Sequence, residues 1–214
     1  MHPWNAAQLG AFLAWSREHS ELHLAWHVLA MTGMRRGELL ALRRRDLDLG
    51  AATITVRRSA RVIKVKGQPG QILEGPTKTG KPRVVDVDPG TVAVLRGWKR
   101  DRGALALSLA RDDALIFGNL EGKIRHPETF SKMFTKTVAR CRRDIGDDMV
   151  PPIRLHDLRH AHATILLSGG EPVSTVGERL GRTSEMITLT VYSHCLPGDQ
   201  RRAAARFAAL VAEA

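Results

Sequence analysis

Four short stretches of the chain gather residue types that hold phosphate or move protons. Thr32-Gly33-Met34-Arg35-Arg36-Gly37-Glu38 carries an arginine with an acid three residues on. Pro76-Thr77-Lys78-Thr79-Gly80-Lys81-Pro82 places two lysines in turn chemistry. Leu155-His156-Asp157-Leu158-Arg159-His160 sets a second arginine between histidines. Leu180-Gly181-Arg182 precedes Thr190-Val191-Tyr192-Ser193-His194, and Tyr192 is the only tyrosine.

This set matches what phosphodiester cleavage without a metal would demand. Negative charge grows on the non-bridging oxygens in the transition state, and fixed cationic donors must meet it. Arginine suits that task, because its planar fork donates two hydrogen bonds and stays charged. Arg35, Arg159 and Arg182 are the candidates. The hydroxyl of Tyr192 can act as nucleophile, given nearby positive charge or a base. Lys78 on a turn can protonate a leaving oxygen. His156 can hold or shuttle the other proton.

Each residue also has a plain structural reading. Arg35 alone would be a surface arginine. His156 and Arg159, at i and i+3, share a helix face and could serve as cap or salt bridge. Lys78 is not separable from Lys81. Glu38 is either a helix-surface acid or an orienting partner for an arginine. Tyr192 alone would be a half-buried packing residue. The set, its order and its contexts favour the chemical reading.

The elements that must position these residues follow from periodicity. Ala6, Leu9, Phe12, Leu13 and Trp15 predict a helix over 5–19, with Asn5 as a cap. A second is predicted over 21–31 with Ser20 as a candidate cap, ended or kinked by Gly33, and a short one over 36–42. The β-branched run Thr53–Val56 predicts a strand within 52–63, followed by strands over 71–74 and 83–87. Helices are predicted over 90–101, 127–143, 157–168, 173–180, 184–190 and 198–213. The fold class is α+β, mainly α-helical: a single domain spanning 1–214 with a small three-stranded antiparallel sheet.

Charge narrows the partners. The net is +11 over 214 residues. Residues 51–100 hold 11 Lys and Arg against 3 Asp and Glu, so most of the excess lies around the predicted sheet. Concentrated positive charge points to a polyanion such as nucleic acid. No run approaches the roughly 18 apolar residues that span a bilayer, and no signal peptide is evident. Cys141 and Cys195 form neither a disulfide framework nor a metal clip. A cytoplasmic protein with no metal and no cofactor is the expectation.

The four stretches, in this order, resemble the tyrosine recombinase (phage integrase) family, over nearly the whole chain. Thr32–Glu38 with Leu39-Leu40-Ala41-Leu42 resembles the first arginine box, and Pro76–Thr79 the β-hairpin lysine segment. His156-x-x-Arg159-His160 resembles the HxxRH box, and Leu180-Gly181 through His194 the box with the nucleophile. The resemblance implies an integrase catalytic-domain-like fold. It also implies that Arg35 and Arg159 clamp the scissile phosphate and that Lys78 protonates the leaving 5′ oxygen. His156 would assist proton transfer, Tyr192 would form a 3′-phosphotyrosyl link, and Glu38 and His160 would support the site. Implied partners are double-stranded DNA, a homotetramer on that DNA, and a host bending protein or excision factor. The tail after Tyr192 is similar to that of integrases of phages and conjugative elements.

One position departs from the pattern. The family usually places His or Trp after the Leu-Gly of the last box, and here it is Arg182. Arginine can still donate to a phosphate oxygen but does not lose its proton. Either the variant keeps the hydrogen bond, or activity is weakened or lost. The family's N-terminal core-binding domain is also expected to be missing from this chain, leaving weak DNA binding with little sequence choice. Other readings are a type IB topoisomerase or hairpin telomere resolvase, a non-catalytic DNA-binding remnant, or an unrelated basic helical regulator. Finally, Ala204, Phe207, Ala208 and Val211 give the last helix an apolar stripe, which packs either on its own domain or on a neighbouring copy.

Overall fold

The computed structural model describes residues 3–63, 70–105, 111–119, 121–181 and 200–212. Helix α1 (Ala6–His19) opens with a reciprocal cap: Asn5 Oδ1 accepts from the Gln8 N–H at 2.9 Å, and Gln8 Oε1 from the Asn5 N–H at 3.1 Å. Its buried face carries Leu9, Phe12, Leu13 and Trp15, four of the five residues whose spacing predicted it, while Ala6 is exposed. Helix α2 (His23–Thr32) ends at Gly33, which adopts the left-handed conformation (φ 61°). Ser20 is not the cap of α2. It closes α1, and its hydroxyl accepts from the Trp26 indole at 3.2 Å. Helix α3 (Arg36–Leu40) follows, shorter than expected.

The strands differ most from expectation. The predicted strand over 52–63 divides at Arg57 into β2 (Thr53–Val56) and β3 (Arg58–Ile63). The three-stranded antiparallel sheet is real, but its order is β1 (Leu47–Asp48), β2, β5 (Arg83–Asp86). The predicted strand over 71–74 extends to Pro76 as β4 (Gln71–Pro76) and pairs only with β3, forming a separate hairpin. Ile54, Val56, Ala60 and Val62 keep one phase of alternation across Arg57, with Arg58 the one charged member of the series. A period of two reports which face a residue occupies, and says nothing about which strand is its neighbour. What marks the division is charge: Arg57 and Arg58 both turn to buried Asp46, Arg58 at 2.7 Å.

Helices α4 (Pro89–Leu105), α5 (Pro127–Ile145), α6 (Asp157–Ser168), α7 (Val173–Arg179) and α8 (Gln200–Ala212) complete the described chain. The helix expected over 184–190 lies outside the described residues. Among these residues no helix is long and apolar enough to cross a membrane. The result is mainly helical with small antiparallel pairings, as expected.

The core centres on rings. Trp4, Phe12, Trp26, Phe130 and Phe134 are all essentially inaccessible, and Phe134 meets Trp4, Phe12 and Trp26 with centroids 5.2–6.3 Å apart. This cluster ties α1, α2 and α5 together, and α2 packs in turn on α6. A smaller cluster of Ala163, Leu167, Val176 and Leu180 joins α6 to α7. The helix that carries the HxxRH box and the helix that leads into Leu180-Gly181 are thereby fixed to each other, and the former packs on the helix ending at Gly33. Phe134→Ala should lower stability by about 3–5 kcal/mol, measured by denaturant unfolding followed by tryptophan fluorescence. A loss under about 1 kcal/mol would mean the rings do not form one packed unit.

Candidate active site

Arg35 stands as the N-cap of α3, and its position is set by the residue one turn later. Its backbone N–H donates to Glu38 Oε2 at 2.8 Å, and its guanidinium Nη1 to Oε1 at 2.9 Å. Glu38 is 1% exposed, so a carboxylate here must be fully paired. The second partner comes from β5. Arg83 meets the carboxylate with both ends of its fork, Nη1 to Oε1 at 3.0 Å and Nη2 to Oε2 at 2.7 Å. Burial works to raise the Glu38 pKa. The Arg83 fork and charge, then the N–H and charge of Arg35, reverse that and hold it below the usual carboxylate range. Of the two readings open for Glu38, the arginine partner is the one observed.

Arg159 lies on α6 and is 4% exposed. It donates to the Gly33 carbonyl and to the Leu180 carbonyl, both at 2.7 Å. The second bond belongs to a pattern. Arg83 Nε donates to the Arg179 carbonyl at 3.2 Å, and Arg35 Nη2 to the Gly181 carbonyl at 3.4 Å. Three consecutive carbonyls at the end of α7 thus receive three different arginines. A helix end leaves its last carbonyls without partners, and cations favour that end. Gly181 closes the turn at φ 62°, and a Cβ there would fall 2.9 Å from Cδ and Nη1 of Arg83. Glycine is required by both the conformation and the close approach.

His156 stands at the N-cap position of α6, makes no side-chain cap bond and is exposed, its ring edge-on to His160 with centroids 5.1 Å apart. Its pKa lies below the ordinary histidine value. Partial desolvation is the main cause, and the charges of His160, Arg159 and Arg35 add to it against the opposing pull of Asp157. At neutral pH the ring is therefore unprotonated and able to accept a proton. His156 and Arg35 line one groove of about 350 Å³ with Arg36, Ser59, Ser131 and Leu155. Arg36, half-buried there, donates to the Ser131 hydroxyl at 2.6 Å.

The tertiary structure brings together Arg35, Glu38, His156, Arg159 and His160. It also adds residues that sequence reasoning missed. Arg83 sits within a predicted strand, and nothing local marks it. Arg179 donates to His162 Nε2 at 3.1 Å and to the carbonyls of Met31 and Asp86. Buried His162 donates through Nδ1 to the Ala30 carbonyl at 2.8 Å, and burial followed by the Arg179 charge pulls its pKa down to about 4. Its place three residues after Arg159, on the same helix face, was the available signal. Lys78 and Lys81 both lie exposed on the turn between β4 and β5, and among the described residues neither has a side-chain partner. The buried Thr77 hydroxyl fixes this turn by donating to the Lys81 carbonyl at 2.9 Å. Arg182 and Tyr192 lie outside the described residues.

The sequence profile described as "Phage integrase family" matches residues 5–198. The chain is 30% identical over 206 residues to the ICEBs1 integrase of Bacillus subtilis (strain 168), covering 94% of this chain and 52% of that protein. It is 30% identical over 169 residues to an integrase of Mycobacterium phage D29, covering 78% and 41%. The chain spans about half the length of the curated relatives it matches. Among solved structures, the Tn1549 transposon integrase in complex with a circular intermediate DNA superposes with a TM-score of 0.76 at 21% identity, over 95% of this chain and 65% of that one. The catalytic domain of bacteriophage HP1 integrase does so with a TM-score of 0.59 at 18% identity, over 97% and 95%. These likenesses establish the fold.

The depressed Glu38 pKa has a consequence for stability. Its contribution is complete above the ordinary carboxylate range and is lost as pH falls through the lowered value in the fold. Glu38→Gln should cost about 3 kcal/mol at pH 7, as expected for a buried pair deprived of one charge. The variant should also lose less melting temperature than wild type between pH 6 and pH 3. Parallel melting curves in the two proteins would contradict the pairing.

Proposed function

The chain belongs to the phage integrase family, and from that membership and the cationic site we propose that residues 1–214 form the strand-cleaving and strand-joining domain of a site-specific DNA recombinase. The observation that supports this most is the pair of anchored arginines. Arg35 is held by a buried carboxylate and Arg159 by main-chain carbonyls, beside an exposed histidine that stays unprotonated at neutral pH. Donors fixed in advance need no reorganisation when charge develops on the phosphate.

In this reading Arg35 and Arg159 hold the non-bridging oxygens of the scissile phosphate. The long 3.4 Å bond from Arg35 to Gly181 is the contact most readily exchanged for a phosphate oxygen. The Tyr192 hydroxyl attacks phosphorus and passes its proton to His156. The bond to the 5′ oxygen breaks, and Lys78, with Lys81 as the alternative, protonates the leaving group. The 3′-phosphotyrosyl link conserves the bond energy, so no nucleotide is consumed. A 5′ hydroxyl from another strand then reverses the step, giving integration or excision of a mobile element. Arg182 donates to the same phosphate in place of the family's His or Trp, and Glu38 and His160 act by holding their neighbours. The setting is bacterial cytoplasm, with a host bending protein or excision factor as accessory.

Assembly into a homotetramer on double-stranded DNA completes the proposal. What supports it is α8, where Ala204, Phe207, Ala208 and Val211 all lie exposed, Phe207 by 70% and Val211 by 60%. A groove of about 520 Å³ with Leu9, Ile165, Leu166 and Val176 in its lining offers an apolar acceptor on a neighbouring copy.

The test of chemistry is relaxation of supercoiled plasmid in EDTA, with a gel assay for covalent protein–DNA adduct. Wild type, Tyr192→Phe and Arg182→His are compared. Relaxation and adduct that vanish in Tyr192→Phe are expected. Activity only in Arg182→His would mark a decayed enzyme, and silence in all three would favour a non-catalytic DNA-binding remnant. The test of assembly is deletion of residues 199–214, which should abolish multimers on DNA in native gels and leave the melting temperature unchanged. Unfolding of the truncated chain would place the helix in its own core.

A further inference from the structure

Arg83 makes contacts that no other described side chain combines. One end of its guanidinium plane holds both oxygens of Glu38, the carboxylate that orients Arg35. Its Nε holds the Arg179 carbonyl, at the end of the helix whose next residues include Arg182. Gly181 lies against the side chain so closely that a Cβ would collide with it. Its own strand, β5, begins where the Lys78 turn ends, and pairs in register with β2 through Arg83 and Val56. Three motif segments far apart in the sequence therefore meet on one planar cation, which is itself largely covered, at 12% side-chain exposure.

We propose that Arg83 is a positioning residue for phosphoryl transfer, keying the lysine turn and the Leu180–Gly181 turn to the Arg35 clamp. The proposal rests on the strand-transfer reading above. The physical argument concerns a shared counter-charge. Glu38 is buried and accepts from two arginines. Without Arg83, the carboxylate has only Arg35 to neutralise it, and Arg35 is drawn toward it and away from a phosphate in the groove. The Leu180–Gly181 turn loses one of its three anchors at the same time. Lysine cannot replace this, because an ammonium cannot grip two carboxylate oxygens and a carbonyl in one plane. Misplacement of about 1 Å at a reacting centre can cost about 10²-fold in rate.

The experiment compares wild type, Arg83→Lys, Arg83→Ala, and the double variant Arg83→Ala with Glu38→Gln. Single-turnover cleavage of a nicked DNA substrate gives the rate, and the equilibrium Kd for the same DNA is measured separately. Arg83→Lys should fold, bind DNA within about twofold of wild type, and cleave about 10²-fold more slowly. The double variant should cleave faster than Arg83→Ala alone, since removing the buried charge releases Arg35. Neutralising the orphaned carboxylate also restores stability, so the rates are compared at a temperature where every variant is fully folded by circular dichroism, and only a gain among folded proteins counts as rescue. Cleavage by Arg83→Lys at the wild-type rate, or a double variant no better than Arg83→Ala, would overturn the proposal. Carbon-13 NMR titration of the Glu38 carboxyl supplies a readout independent of activity. Its pKa should rise in Arg83→Lys, and an unchanged titration would overturn the assignment even if wild type proved inactive. An inactive wild type with a shifted Glu38 would count against the strand-transfer reading and leave the linkage standing.

Discussion

A single buried carboxylate sets the geometry on which the site depends. Glu38 has almost no access to water, so its charge survives only because Arg35 and Arg83 are both in place. Arg35 is local, three residues away, and could be arranged by helix α3 alone. Arg83 arrives from a β-strand 45 residues later, so the ion pair closes only when β5 has docked beside α3. A buried charge with one partner missing is strongly destabilising. The site is therefore coupled to completion of the fold, and its arginine is presented in one orientation.

The same principle governs the end of α7. Carbonyls of Arg179, Leu180 and Gly181 are capped by side chains from β5, α6 and α3 in turn. Guanidinium groups that would repel one another are held close because each has main-chain oxygen to donate to. The two glycines of these boxes have matching roles. Gly33 lets α2 end tightly enough for its carbonyl to reach Arg159, and Gly181 lets the turn lie on Arg83. Both sit in the left-handed region, where other residues are strained.

Charge is used in two ways across the molecule. The excess of +11 supplies long-range attraction for a polyanion. The arginines nearest the candidate chemistry are instead individually tied down, by Glu38 or by carbonyls. His156 is the complement to this arrangement. Partial desolvation and the surrounding cations keep it unprotonated, so a proton acceptor persists inside a positively charged groove.

The sequence alone determined the family, the helices among the described residues to within a few positions, and most of the clustered site. Helical stripes and caps are local, and a side chain's face follows from its own position, so α1, α2, α5 and α6 were legible within a few residues. The boxes around Arg35, His156 and Arg159 were legible because each joins functional residues within one turn of helix. Tertiary structure decided the rest, because the remaining facts concern partners. Alternation could not reveal that β2 and β3 belong to different pairings, since Ile54, Val56, Ala60 and Val62 keep the same phase on both sides of Arg57. No local pattern distinguished Arg83 from the other basic residues around the sheet; what sets it apart is a carboxylate 45 residues earlier. Whether Glu38 was a surface acid or a buried anchor depended on what covered it, and burial is a property of the assembled chain.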